Sequence, residues 1–216
     1  DLKQHGNVTL VTRNIGDVQR QAMRYDTAEA TYRQVAQTYR EIGDQVQEAW
    51  TLNSLGVLEE ARQQWDAAIA WYEQARQIFT DLKQPANVAT VTHNIGDVQR
   101  QAKRYDAVEA TYRQVAQTYR EISDQVAEAS AFNSLGVLEE ARQQWDAAIA
   151  WYEQARQVFT DLKQLGNVTL VTRNIGDVQR QAMRYDTAEA TYRQVAKTYR
   201  EMGDKVAEAS AFNSLG

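Results

Sequence analysis

The chain is 216 residues long, 43% apolar and 25% charged, with a single Pro, the make-up of an ordinary folded helical protein. Its 24 Lys and Arg against 29 Asp and Glu leave a formal charge of −5, the wrong sign for gripping a phosphate backbone, so no nucleic-acid partner is expected. Cys is absent and only two His occur, which removes disulfides, thiolate metal sites and a Cys nucleophile; no metal, cofactor or catalytic activity is expected.

No apolar run approaches the roughly 20 residues that span a bilayer, and the opening DLKQHGNVTL lacks the layout of a signal peptide. A cytoplasmic location without membrane contact is the expectation. Val8, Val11, Ile15 and Val18 then recur at spacings of 3, 4 and 3, the period of a helix and not of a strand. After a break near Arg24 and Tyr25, Asp26 is expected to cap a second helix, with Glu29 completing a capping box. Its stripe is Ala28, Tyr32, Val35, Tyr39 and Ile42; Gly43 suits a left-handed end, and Asp44 can cap the next helix.

This helix pair repeats along the whole chain. Residues 1–80 and 81–160 differ at 14 positions, and 161–200 differs from 1–40 only at His5 to Leu165 and Gln37 to Lys197. Each 80-residue block divides into two related halves of 40, with Gly16 falling on Gly56, Tyr25 on Trp65, Ala28 on Ala68 and Tyr32 on Tyr72. A fixed period of this kind decides the architecture. It predicts helix hairpins over about 7–42, 46–82, 86–122, 126–162 and 166–202, with Pro85 near a helix start, and a lone helix over 204–216. That last helix has no partner behind it, so end-to-end self-association through an uncapped C-terminal helix is expected.

Gly16, Gly56, Gly96, Gly136 and Gly176 lie inside helices, where Gly costs about 1 kcal/mol against Ala; a contact that tolerates no Cβ is implied. Ala28, Ala68 and Ala148 are expected to face these glycines, with Tyr25, Trp65, Tyr105, Trp145 and Tyr185 filling the adjoining gap. The pattern NIG or SLG, then Tyr or Trp, then Ala three later and Tyr four later, resembles the tetratricopeptide repeat of the long, roughly 40-residue class, similar to Pins-type scaffolds and bacterial sensor arrays. Met23-Arg24 and Gln63-Gln64 stand where that family has Gly-Asp. The resemblance implies an all-α, right-handed α-solenoid of antiparallel hairpins, one module over residues 1–216.

It also implies a binding surface, since first helices of such repeats line the concave face. Carried onto this chain, the lining positions are Leu10, Arg13, Asp17 and Arg20 in the first repeat and Trp50, Asn53, Val57 and Glu60 in the second. They continue as Thr90, His93, Asp97 and Arg100, then Ser130, Asn133, Val137 and Glu140, then Leu170, Arg173, Asp177 and Arg180. Formal charges on these positions cancel, which argues against a basic clamp. Nine of the 14 internal differences lie between a hairpin turn and the helical Gly, at positions 5, 6, 9, 10, 13, 47, 50, 51 and 52, as expected where partners touch.

His93 is replaced by Arg13 and Arg173 in sister copies and carries no repeating acid or base around it, so a groove-lining role is favoured over catalysis. Trp65, Trp71, Trp145 and Trp151 read as packing residues, whereas Trp50, exchanged for Ser130 and Ser210, reads as a contact. Arg13 with Asp17 and Arg173 with Asp177 have the spacing of surface ion pairs. The function expected is that of a non-enzymatic scaffold binding a peptide or protein segment in the groove. The alternatives are the sensor array of a larger bacterial signalling ATPase and a self-assembling structural solenoid.

Overall fold

The computed structural model describes residues 2–205, with side chains from Thr9 onward. Ten α-helices occupy these residues: α1 (Leu2–Gln21), α2 (Tyr25–Ile42), α3 (Gln45–Ala61), α4 (Trp65–Asp81), α5 (Pro85–Gln101), α6 (Tyr105–Glu121), α7 (Gln125–Ala141), α8 (Trp145–Asp161), α9 (Leu165–Gln181) and α10 (Tyr185–Met202). The lone helix expected over 204–216, and the end-to-end contact expected through it, fall on residues 206–216, outside those described. Two compact units, residues 1–111 and 112–216, divide the chain, with the boundary inside α6. Within the first, α1 packs on α2, α2 on α3, α3 on α4 and α4 on α5; within the second, α7 packs on α8, α8 on α9 and α9 on α10.

Each turn is two or three residues long and closes by the same pair of bonds. After α1 the Arg24 N–H donates to the Gln19 carbonyl at 2.9 Å and the Met23 N–H to that of Arg20 at 3.0 Å, a Schellman ending that needs one left-handed residue. Gly43 and Gly203 supply it at φ 77°, but Met23, Gln63 and Lys83 hold φ between 54° and 59° without the freedom of glycine.

The cap expected at Asp44 forms, its repeat counterpart Asp124 forms the same one, and the cap expected at Asp26 does not. Asp44 accepts from the Gln47 N–H at 3.1 Å and Asp124 from that of Ala127 at 3.0 Å, and Pro85 opens α5. Asp26 does not cap α2: the helix starts at Tyr25, and Arg24 holds the N-cap position without a side-chain bond. The turn consumes only three residues, so Asp26 falls inside the first helical turn. There it meets Arg62 from the end of α3 at 2.6 Å, and Glu29 meets the same guanidinium at 2.7 Å.

The core of the first unit joins Ala28 and Tyr32 of α2, Leu52, Leu55 and Leu58 of α3, Tyr72 and Phe79 of α4, and Ile95 of α5. Trp71 packs at its edge with Arg33 of α2 lying 5.0 Å over the ring; in the second unit Trp151 stacks on Phe132 at 5.8 Å. Tyr25 and Trp65 lie against the first core, but Tyr185 is 63% exposed and fills no gap. The stripe of α1 also departs from expectation: Val11, Ile15 and Val18 are exposed.

Candidate functional site

The residue that fills the glycine notch is a tyrosine and not the expected alanine. A Cβ built on Gly16 would stand 2.6 Å from Cε1 of Tyr32, and one on Gly136 2.5 Å from Cε1 of Tyr152. Gly56 faces Tyr72, and Gly176 faces Tyr192, in the same way. Ala28, Ala68 and Ala148 are buried one turn earlier, where the helices are already close enough without a glycine. The missing Cβ lets each ring cross beneath the first helix and bring its hydroxyl to the other side.

There each hydroxyl meets a carboxylate of the predicted groove. Tyr32 Oη donates to Asp17 at 2.7 Å and Tyr192 Oη to Asp177 at 2.7 Å, while Tyr72 donates to Glu60 at 3.2 Å and Tyr152 to Glu140 at 3.0 Å. One repeat flavour uses the residue after the glycine, and the other uses the residue one turn later. Burial first, and then the hydrogen bond to Asp17, push the Tyr32 hydroxyl well above the ordinary tyrosine range. Burial and the charge of Glu60 do the same to Tyr72. Arg20 lies close enough to oppose both shifts, with its own Nε buried and without a hydrogen-bond partner. These four carboxylates therefore brace the scaffold, each holding a buried tyrosine of the paired helix.

Successive first helices are tied by amides. Asn94 donates to Asn53 at 2.9 Å and Asn174 to Asn133 at 3.0 Å; Gln101 reaches Glu60, and Gln181 reaches Glu140 at 2.6 Å. His93 Nδ1 lies 3.3 Å from Asp97, which Arg100 approaches at 3.5 Å. Arg173 and Arg180 each lie 3.8 Å from Asp177. Leu10 is 40% exposed.

Arg13, Asp17, Trp50 and Asn53 of the predicted set line one hollow of about 400 Å³ between α1 and α3, together with Gln47 and Ser54. Arg13 does not pair along its own helix: its Nη1 crosses to donate to Gln47 Oε1 at 3.1 Å. Trp50 packs on Phe79 with ring centroids 5.0 Å apart while keeping part of its surface in the hollow. The lining thus offers a guanidinium, a carboxylate, two amides, a hydroxyl and an indole, a set suited to the backbone and side chains of an extended peptide. Among the described residues no three His, Asp or Glu gather as a metal site would need, and no helix is long and apolar enough to cross a membrane.

A tetratricopeptide repeat model matches residues 8–81 and 87–161, more than half of the chain. The chain belongs to the tetratricopeptide repeat family. Solved structures agree on an all-α fold of stacked helix hairpins. BtubC from P. vanneervenii matches with a TM-score of 0.80 at 21% identity, over 94% of this chain and 84% of that one. A signal transduction ATPase with numerous domains from Pyrococcus horikoshii, with a tetratricopeptide repeat sensor, matches at 0.70 and 13% identity, over 96% of this chain and 35% of that one. The Rap conjugation gene regulator of plasmid pLS20, solved in complex with the Phr* peptide, matches at 0.67 and 15%, over 91% of this chain and 54% of that one. No curated protein sequence matches the chain.

Gln47 and Ser54 are the lining residues of this tetratricopeptide array that sequence reasoning missed. A signal existed for Gln47, which becomes Ala127 in the sister copy and precedes Trp50 by about one helical turn. Variation between copies also falls on buried positions: Thr9, Thr51 and Leu52 are at most 6% exposed. Their exchange for Ala89, Ala131 and Phe132 alters packing and not the hollow.

Proposed function

We propose that this tetratricopeptide array is a non-enzymatic recognition module that binds an extended peptide or protein segment along the face of its first helices. One observation carries the reading: Arg13, Gln47 and Trp50, three positions that differ between otherwise near-identical copies, line a single hollow. The bound-peptide state of the Rap relative supports the same ligand class. Hydrogen bonds from Arg13, Gln47 and Asn53 would hold the backbone, and Trp50 would supply an apolar anchor.

The chain itself provides the test substitutions. Trp50→Ser, Gln47→Ala and Arg13→His install residues that Ser130, Ala127 and His93 already place at equivalent positions, so the fold is expected to survive. Peptides selected from a random display library on the intact protein should lose at least about tenfold in affinity for Trp50→Ser. Unchanged affinity across all three variants would remove the proposal. A second reading, a sensor array within a larger signalling ATPase, is supported by the likeness to the Pyrococcus horikoshii protein. The gene sequence on either side of this segment tests it, through the presence or absence of a nucleotide-binding domain.

A further inference from the structure

Arg13 and Arg173 occupy matching stretches of sequence yet hold different partners. Residues 1–40 and 161–200 differ only at positions 5 and 37. On α9 the Arg173 Nε lies 3.8 Å from Asp177, four residues on, with Arg180 also at 3.8 Å. On α5 His93 and Arg100 approach Asp97 in the same way. On α1 this habit is broken: Arg13 turns across to Gln47 Oε1 at 3.1 Å. Asp17 accepts the Tyr32 hydroxyl and, among the described residues, forms no ion pair with Arg13, Arg20 or any other cation.

Position 47 makes the difference. Ala127 and Ala207 stand at the equivalent places, and alanine offers a guanidinium no acceptor, so there the cation falls back on the carboxylate of its own helix. Gln47 is neutral, and it therefore holds Arg13 aside without neutralising it. A cation and an anion are left apart in one hollow, beside Trp50, Asn53 and Ser54. A ligand that covers both must supply the opposite charges or leave them stranded away from water. The spacing sets how it does so. Four residues of helix rise about 6 Å, and two residues of an extended chain span about 6.6 Å with both side chains on one face. An extended segment along α1 thus turns side chains two apart toward Arg13 and Asp17.

We propose that the hollow selects an extended peptide carrying one acidic and one basic side chain two residues apart. The peptide carboxylate meets Arg13, the peptide cation meets Asp17 in a charge-assisted hydrogen bond, and Gln47 sets the selectivity by keeping the two receiving charges separate. The selection rests on the peptide-binding reading of the same hollow and specifies its ligand. A wholly acidic segment sets a like charge against Asp17, and a wholly basic one sets a like charge against Arg13.

The test selects a displayed library of random peptides on the intact chain, then synthesises the strongest binder with glutamine in place of its acid, its base or both. An acid and a base two residues apart should be enriched, and each glutamine should weaken binding about fivefold or more. Asp17→Asn keeps an acceptor for the Tyr32 hydroxyl and should erase the preference for the base alone. Gln47→Glu gives Arg13 a carboxylate from within the protein and should erase the preference for the acid alone. Gln47→Ala should erase both, as Arg13 returns to Asp17. Each readout is a ratio between peptides, so partial unfolding of a variant does not mimic it. Binders that need Trp50 but lack the charged pair, or carry it at another spacing, overturn the inference and leave the peptide-binding reading standing. A pair whose contribution none of the three variants changes has the same consequence. If no peptide is retained, both fall.

Discussion

Replacing Gly136 by Ala pushes a methyl group into the ring of Tyr152. The new Cβ would lie 2.5 Å from both Cδ1 and Cε1, roughly 1 Å inside ordinary contact between carbon atoms. Tyr152 is 0% exposed and its hydroxyl is held by Glu140 at 3.0 Å, so the ring has no free volume to turn into. Either the two helices separate or the hydroxyl leaves its carboxylate. Alanine returns about 1 kcal/mol of helix propensity, overpacking costs roughly 1–3 kcal/mol, and a lost hydrogen bond costs about 1 kcal/mol more. The net expectation is a loss of about 1–3 kcal/mol. At Gly176 the same methyl would stand 3.0 Å from Tyr192, so Gly176→Ala should come close to neutral. At Gly166 nothing lies within 4 Å, and Gly166→Ala should gain up to about 1 kcal/mol. Urea unfolding followed by far-ultraviolet circular dichroism ranks the three variants. If Gly136→Ala proves as stable as Gly166→Ala, the glycine is not there for the tyrosine.

Three further outcomes follow from the same geometry. The hydroxyls of Tyr32, Tyr72 and Tyr192 are held above their ordinary value of 10.0 in the folded chain, so their contribution is intact below about pH 10 and is lost as pH rises through the folded values. Helicity and tyrosinate absorbance should therefore change together in strong base, and Tyr72→Phe should soften the transition; ionisation while helicity stays full would contradict the buried pins. Arg62, and after it Arg33, hold the Glu29 carboxyl below its ordinary value of 4.5, so this contribution is present above that value and is lost as pH falls through the folded one. Arg62→Ala should cost about 1–3 kcal/mol by stranding the buried Glu59 and should move the acid unfolding midpoint upward; an unmoved midpoint would discount the cluster. Gln63 holds φ 59°, and Gln63→Gly should raise the melting temperature by relieving about 1 kcal/mol of backbone strain, whereas a lower melting temperature would show that the glutamine side chain matters more.

The helix pair was legible because its signals are local. Stripes at spacings of 3 and 4, Asp44 as a cap, Gly43 as a left-handed ending and Pro85 at a helix start all act within a few residues. Asp26 misled for a related reason: capping chemistry was recognised correctly, but the compact turn shifted the helix start past it. Four of the six residues lining the hollow were legible too. Arg13, Asp17, Trp50 and Asn53 share faces that the repeat period defines, whereas Gln47 enters through a hydrogen bond to a side chain 34 positions away.

By itself the sequence determined the repeating unit, its flavours and its family, since periodicity and turn punctuation need no knowledge of neighbours. The tertiary structure alone decided that tyrosine fills the glycine notch and that its hydroxyl pins a carboxylate of the first helix. It also decided that the valines and isoleucine of α1 meet water while their identical copies in α5 and α9 are covered. A side chain's identity is local, but its surroundings depend on which helix lies beside it, and that is settled only when the hairpins stack.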